Sequence, residues 1–138
     1  MFMNQKNNNF THLIEHACAA LPLSHLAVKE KYNNCPVCLI RYMEKGNLLD
    51  CVEVSFDKEN ASLTFIMDKE DKCYSASIHF YDPKDETLFI IFMRQFSKYY
   101  SYRKKCWILK DSIYCKIEEN EGTHFYFYKF VDADKYNN

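Results

Sequence analysis

Residues 62–80 read Ser-Leu-Thr-Phe-Ile-Met-Asp-Lys-Glu-Asp-Lys-Cys-Tyr-Ser-Ala-Ser-Ile-His-Phe. Leu63, Phe65 and Met67 alternate with Ser62, Thr64 and Ile66; then Tyr74, Ala76, Ile78 and Phe80 alternate with Ser75, Ser77 and His79. A period of two places successive side chains on opposite faces, so each run is a strand with one dry face and one wetter face. The charged tip Asp68 to Lys72 is too short for a crossover, so the two strands form an antiparallel hairpin.

The same period extends in both directions. Val52, Val54 and Phe56 alternate with Glu53 and Ser55, and Ile113, Cys115 and Ile117 with Tyr114, Lys116 and Glu118. Phe125, Phe127 and Lys129 alternate with Tyr126, Tyr128 and Phe130, which makes both faces of the last strand aromatic. Polar tips at 44–47, 57–60, 81–85, 110–111 and 119–122 separate the runs. Leu88 to Phe96, apolar on both sides, reads as a central strand covered above and below.

Upstream the period is helical. Thr11 is the expected N-cap of an amphipathic helix whose inner side is Leu13, Ile14, Ala17, Cys18, Ala20 and Leu21. Pro22 stops it. Leu23 to Tyr32 reads as a second short helix with Leu23, Leu26 and Ala27 inward. The expected fold class is α+β: an N-terminal helical pair packed on a curved antiparallel meander sheet of about seven strands. Residues 1–138 read as a single domain, with 1–9 and 133–138 flexible at its ends.

Nearly half of the chain, 48%, is hydrophobic, enough for a core without staples, and the net charge is −1. That balance gives no global electrostatic case for nucleic acid or an anionic membrane. The longest apolar run, Leu88 to Met93, cannot span a bilayer. The N-terminus lacks the apolar stretch of a signal peptide, and the seven cysteines do not pair off evenly. The expected location is cytoplasmic, with thiols acting as small hydrophobes.

Cys35-Pro-Val-Cys38 is the one short pattern that resembles chemistry. Structural zinc needs four ligands, and the only complement is His12 with His16. Those two fall on the polar side of the first helix beside Glu15, away from the apolar stripe. A redox pair would open a helix after a central strand, a context absent here. With only Gly46 and Gly122, no Gly-rich phosphate loop can form. No cofactor and no metal are expected.

Three functional classes follow. The preferred one is a non-catalytic domain that masks a protein partner, in the manner of an immunity-protein, antitoxin or adaptor-type inhibitor. Lys98-Tyr-Tyr-Ser-Tyr-Arg-Lys-Lys105 alternates cations with tyrosines, a composition suited to a contact surface. Its expected partner-binding residues are Tyr99, Tyr100, Tyr102, Arg103 and Lys104, joined by Tyr126 and Tyr128 of the last strand. The second class is a ligand-binding cup between helices and sheet, lined by Met43, Met67, Met93 and phenylalanines. The third is an enzyme or metal site built on His79, with Ser75, Ser77 and Tyr81 in one stripe, or on Cys35 and Cys38.

Overall fold

The computed structural model describes residues 2–33, 37–44, 47–119 and 122–129. Helices α1 (Phe2–Ala19) and α2 (His25–Lys31) precede strands β1 (Val37–Glu44), β2 (Asn47–Phe56), β3 (Ala61–Met67) and β4 (Cys73–Phe80). Helix α3 (Pro83–Phe96) leads to β5 (Tyr99–Ser101), β6 (Cys106–Ile108), β7 (Ile113–Glu119) and β8 (Thr123–Lys129). The fold is α+β, as the alternation implies, with eight strands in one sheet ordered β1-β2-β3-β4-β8-β7-β6-β5. Every neighbouring pair is antiparallel. Two four-strand meanders therefore meet at the β4–β8 seam, and α3 carries the chain from that seam to the far edge.

Helix α3 corrects the reading of Leu88 to Phe96 as a strand. Asp82 is its N-cap, accepting a hydrogen bond from Lys84 N at 2.9 Å. Pro83 occupies the first turn, where its missing N–H costs nothing, and Asp85 and Glu86 face the positive end of the helix. The segment that resembled a turn tip is a helix start. A run apolar on every side carries no period, so it cannot distinguish helix from strand.

The first helix begins at Phe2, well before Thr11, and Thr11 Oγ1 donates to Asn7 O at 2.9 Å inside the helix instead of capping it. The second is capped by Ser24, whose side chain accepts from Ala27 N at 3.1 Å. Its buried residue is Val28; of the expected inner side Leu23 packs against the core and Ala27 is half-buried, while Leu26 is exposed.

Phe10, Leu13, Ile14 and Ala17 of α1 are buried in the core with Leu63, Phe65, Ala76, Ile78, Phe125 and Phe127 of the sheet. Phe10 meets Phe80, Phe89 and Phe92 edge to face at 5.3–5.6 Å between centroids. Lys6 Nζ of α1 donates to the buried Asp85 carboxylate of α3 at 2.8 Å. Met67 and Met93 fill the interior, both buried in that cluster; the side chain of Met43 lies outside the described residues.

A bulge shifts the β3–β4 register, pairing Ile66 with Ser75 and Met67 with Cys73. Tyr74 is the extra residue. Cys73 therefore joins the core with Ala76, Ile78 and Phe80, while Tyr74 packs on the opposite face beside Ile66 and Tyr126. Unbroken alternation had put Tyr74 on the core face.

Candidate functional site

Strands β5 and β6 form a short hairpin at the sheet edge, with Tyr100 opposite Trp107 and Ser101 opposite Cys106. Lys104 N donates to Ser101 Oγ at 3.2 Å, and Lys105 closes the turn at φ +55°. That left-handed conformation is uncommon for a residue with a Cβ and fixes the point where its side chain leaves the turn. Tyr100 stands edge to face with both Tyr102 (5.0 Å) and Trp107 (5.5 Å).

Helix α3 passes over the same sheet face without covering the hairpin completely. A cleft of about 500 Å³ remains, lined by Ile90, Arg94, Tyr100, Tyr102, Lys105, Trp107 and Ile117. Ile90 and Arg94 come from one side of α3, four residues apart. Ile117 pairs with the buried Phe125, which places the cleft on the core face of β7. Two cations, three aromatic rings and two isoleucines line it, with no carboxylate among them. Such a lining can stack or bury an apolar group and pair a negative one.

The expected contact residues divide. Tyr100 and Tyr102 line the cleft, and Tyr102 is 85% exposed. Tyr99 and Arg103 are exposed on the same hairpin, with Lys104 half-buried. Tyr126 and Tyr128 are elsewhere: they pair with Ser77 and Ser75, on the sheet face away from the cleft. Tyr126 is only 5% exposed and packs with Cys51 and Ile66. Tyr128 stacks on Tyr114 at 5.2 Å. The two tyrosines thus belong to a satellite cluster, not to the hairpin surface. Ile90, Arg94, Lys105, Trp107 and Ile117 were not among the expected contacts: Trp107 joins by pairing with Tyr100, Ile117 from β7, and Ile90 and Arg94 through the course of α3, where an i, i+4 reading was available once that segment is recognised as a helix.

His79 is half-buried, its Nδ1 3.3 Å from Thr123 O, and it stacks on His124 at 5.0 Å. Ser75 and Ser77 are buried instead of solvated, because Tyr128 and Tyr126 flank them on the next strand. The hydrogen bond of the His79 ring goes to the backbone carbonyl of Thr123, and not to a serine of the stripe. Cys73, Cys106 and Cys115 are free, buried thiols. Burial pushes Cys73 up to about 12 and raises Cys106 and Cys115 as well, so these thiols fill space at neutral pH. Cys35 and the side chain of Cys38 lie outside the described residues.

His12 is exposed, as the helical wheel suggests, whereas His16 is half-buried. His16 packs on Phe56 (5.0 Å) and Tyr32 (5.5 Å), and His12 reaches Glu59. Burial, then the neighbouring His12 and Lys31, lower the His16 pKa below its ordinary value. Among the described residues no helix is long and apolar enough to cross a membrane. No protein-family model, curated protein or solved structure matches the chain.

Proposed function

We propose that the chain is a non-catalytic protein-binding domain whose α3–hairpin cleft takes an acidic segment of a partner carrying an apolar side chain. The observation that carries this reading is the convergence of Arg94 and Lys105 on one cleft walled by Tyr100, Tyr102 and Trp107, with no carboxylate among the described lining residues. Aromatic rings and arginine supply most binding energy at protein contacts because they bring large area and directed hydrogen bonds at low entropic cost. The whole-chain charge of −1 attracts no anion at long range, so selectivity rests on these local cations. Exposed Tyr99 and Arg103 extend the contact beyond the cleft. Masking a partner in this way is the action of an inhibitor or adaptor of the cytosol, and no covalent step is involved.

The test is selection from a random peptide display library, with the Arg94→Glu/Lys105→Glu double variant as counter-selection. The reading expects enriched peptides to pair acids with an aromatic or aliphatic anchor. Removing two cations at about 1–2 kcal/mol each should weaken them at least tenfold. Peptides without an acidic excess, or equal binding to the double variant, would overturn it. So would a cleft saturated by small anionic aromatics that no peptide displaces.

A further inference from the structure

The proposal concerns a different part of the molecule, where α1, α2 and the 3-10 turn Asp57–Glu59 after β2 come together. His12 and His16 lie one helical turn apart, and their Nε2 atoms are 3.0 Å from each other. The outer nitrogens are both held: His12 Nδ1 is 2.9 Å from Glu59 Oε1, and His16 Nδ1 is 2.7 Å from Tyr32 Oη. The rings cross at 78° with centroids 4.5 Å apart. We infer that His12 and His16 form a two-imidazole site for a divalent transition-metal ion of the nickel, copper or zinc class, bound through both Nε2 atoms.

Three features support the assignment. With metal–nitrogen bonds of about 2.1 Å, two nitrogens 3.0 Å apart subtend an angle of about 90°, suited to adjacent positions around one ion. Imidazole is the ligand type these metals share. Finally, each ring is oriented through its far nitrogen by a carboxylate or a hydroxyl, the arrangement that sets ring direction and, once Nδ1 carries the proton, leaves Nε2 bare for an ion.

The proton count is simple. In the neutral pair one Nε2–H donates to the other Nε2. If His12 Nδ1–H donates to Glu59, the shared proton belongs to His16, and Tyr32 O–H donates to His16 Nδ1. An incoming ion needs only that the His16 proton move from Nε2 to Nδ1, where Tyr32 Oη accepts it. Both Nε2 atoms are then unprotonated, and the rings turn from each other toward the ion with no net proton loss. Glu59 offsets part of the ion's charge; Lys31, whose charge also reaches His16, opposes it. No group of three or more His, Cys, Asp or Glu side chains gathers for a metal among the described residues. The site is therefore bidentate, with water or a partner group completing the shell. It ties α1 to the segments that hold Tyr32 and Glu59.

Titration of the full chain with nickel chloride at pH 7.5 by calorimetry tests it. One ion per chain is expected, with affinity falling at least tenfold in His12→Gln and in His16→Gln. Glu59→Gln should weaken binding by about tenfold or more through its ring partner alone. Binding that survives both histidine substitutions, or none at all, would overturn the site. A second measurement needs no variant: long-range 1H–15N imidazole spectra during zinc addition. Both His12 and His16 should settle as Nδ1–H tautomers with shifted Nε2 signals; shifts confined to His25, His79 or His124 would contradict the assignment.

Discussion

The centre and one edge of the sheet use aromatic residues to opposite effect. Across β3, β4 and β8, phenylalanines Phe65, Phe80, Phe125 and Phe127 are at most 1% exposed beneath α1 and α3. Across β5 and its turn, Tyr99, Tyr100 and Tyr102 are 38–85% exposed. The difference is cover. α1 lies over the first region, and only the flank of α3 reaches the second, leaving the trench between Arg94 and Tyr102. Residue type follows: phenylalanine where no hydroxyl could be satisfied, tyrosine where the ring rests on protein and the hydroxyl reaches water. One region is a core and the other an exposed surface.

The contrast can be broken most severely from the core side. Phe89→Ala removes a ring in contact with Phe10, Phe80 and Phe125. It should cost about 3–5 kcal/mol, read as a fall in the urea midpoint. A loss below about 1 kcal/mol would mean the covered half is not packed as described. Next is Lys6→Met, which leaves the Asp85 carboxylate buried without its cation. Because the α3 N-terminus still favours a negative charge, a loss of about 1–3 kcal/mol is expected; Lys6→Met/Asp85→Leu should recover most of it.

Tyr102→Ala should separate the two regions. Its ring is mostly exposed, so the urea midpoint should barely move, within about 0.5 kcal/mol, while affinity for selected acidic peptides drops several-fold. Equal losses of stability and binding would mean that the hairpin is simply more core.

How much of this was legible follows from what each signal measures. Alternation marks strands, so β2, β3, β4, β7 and β8 could be read directly from pairs such as Val54/Glu53 and Cys115/Lys116, although β3 is buried on both faces. It failed at Tyr74, where a bulge inserts one residue and exchanges faces without changing the pattern. Leu88 to Met93 has no polar residue to mark a period, yet Asp82-Pro83 ahead of it carried a helix-start signal. Two of the seven residues lining the cleft, Tyr100 and Tyr102, were visible because one short hairpin holds both. Ile90 and Arg94 were not, since α3 brings them there by a crossover from the β4–β8 seam to the edge, and Trp107 and Ile117 join through strands β6 and β7, whose register local sequence does not encode. Tyr126 looked like surface for a related reason: its cover, beside Cys51 and Ile66, comes from across the sheet.

The smallest expected effect is on pH dependence. His16 has a lowered pKa in the folded protein, so the unfolded chain takes up its proton first as pH falls below 6.5. Unfolding is then coupled to proton uptake, and stability should decline from pH 6.5 down to the folded-state pKa, then level off for this group. His16→Asn should flatten that part of the curve relative to wild type in urea titrations; an unchanged slope would contradict the burial of His16 against Tyr32 and Phe56.

Trp107 is the only tryptophan in the chain and forms a wall of the cleft, so its fluorescence reports directly on whether the uncovered half binds anything. The measurement is emission during titration with an acidic peptide bearing an aromatic anchor, for wild type and for Arg94→Glu/Lys105→Glu. A saturable change in wild type, absent from the double variant at an unchanged melting temperature, is the predicted result. Emission that stays constant, or that changes identically in both proteins, would contradict the account.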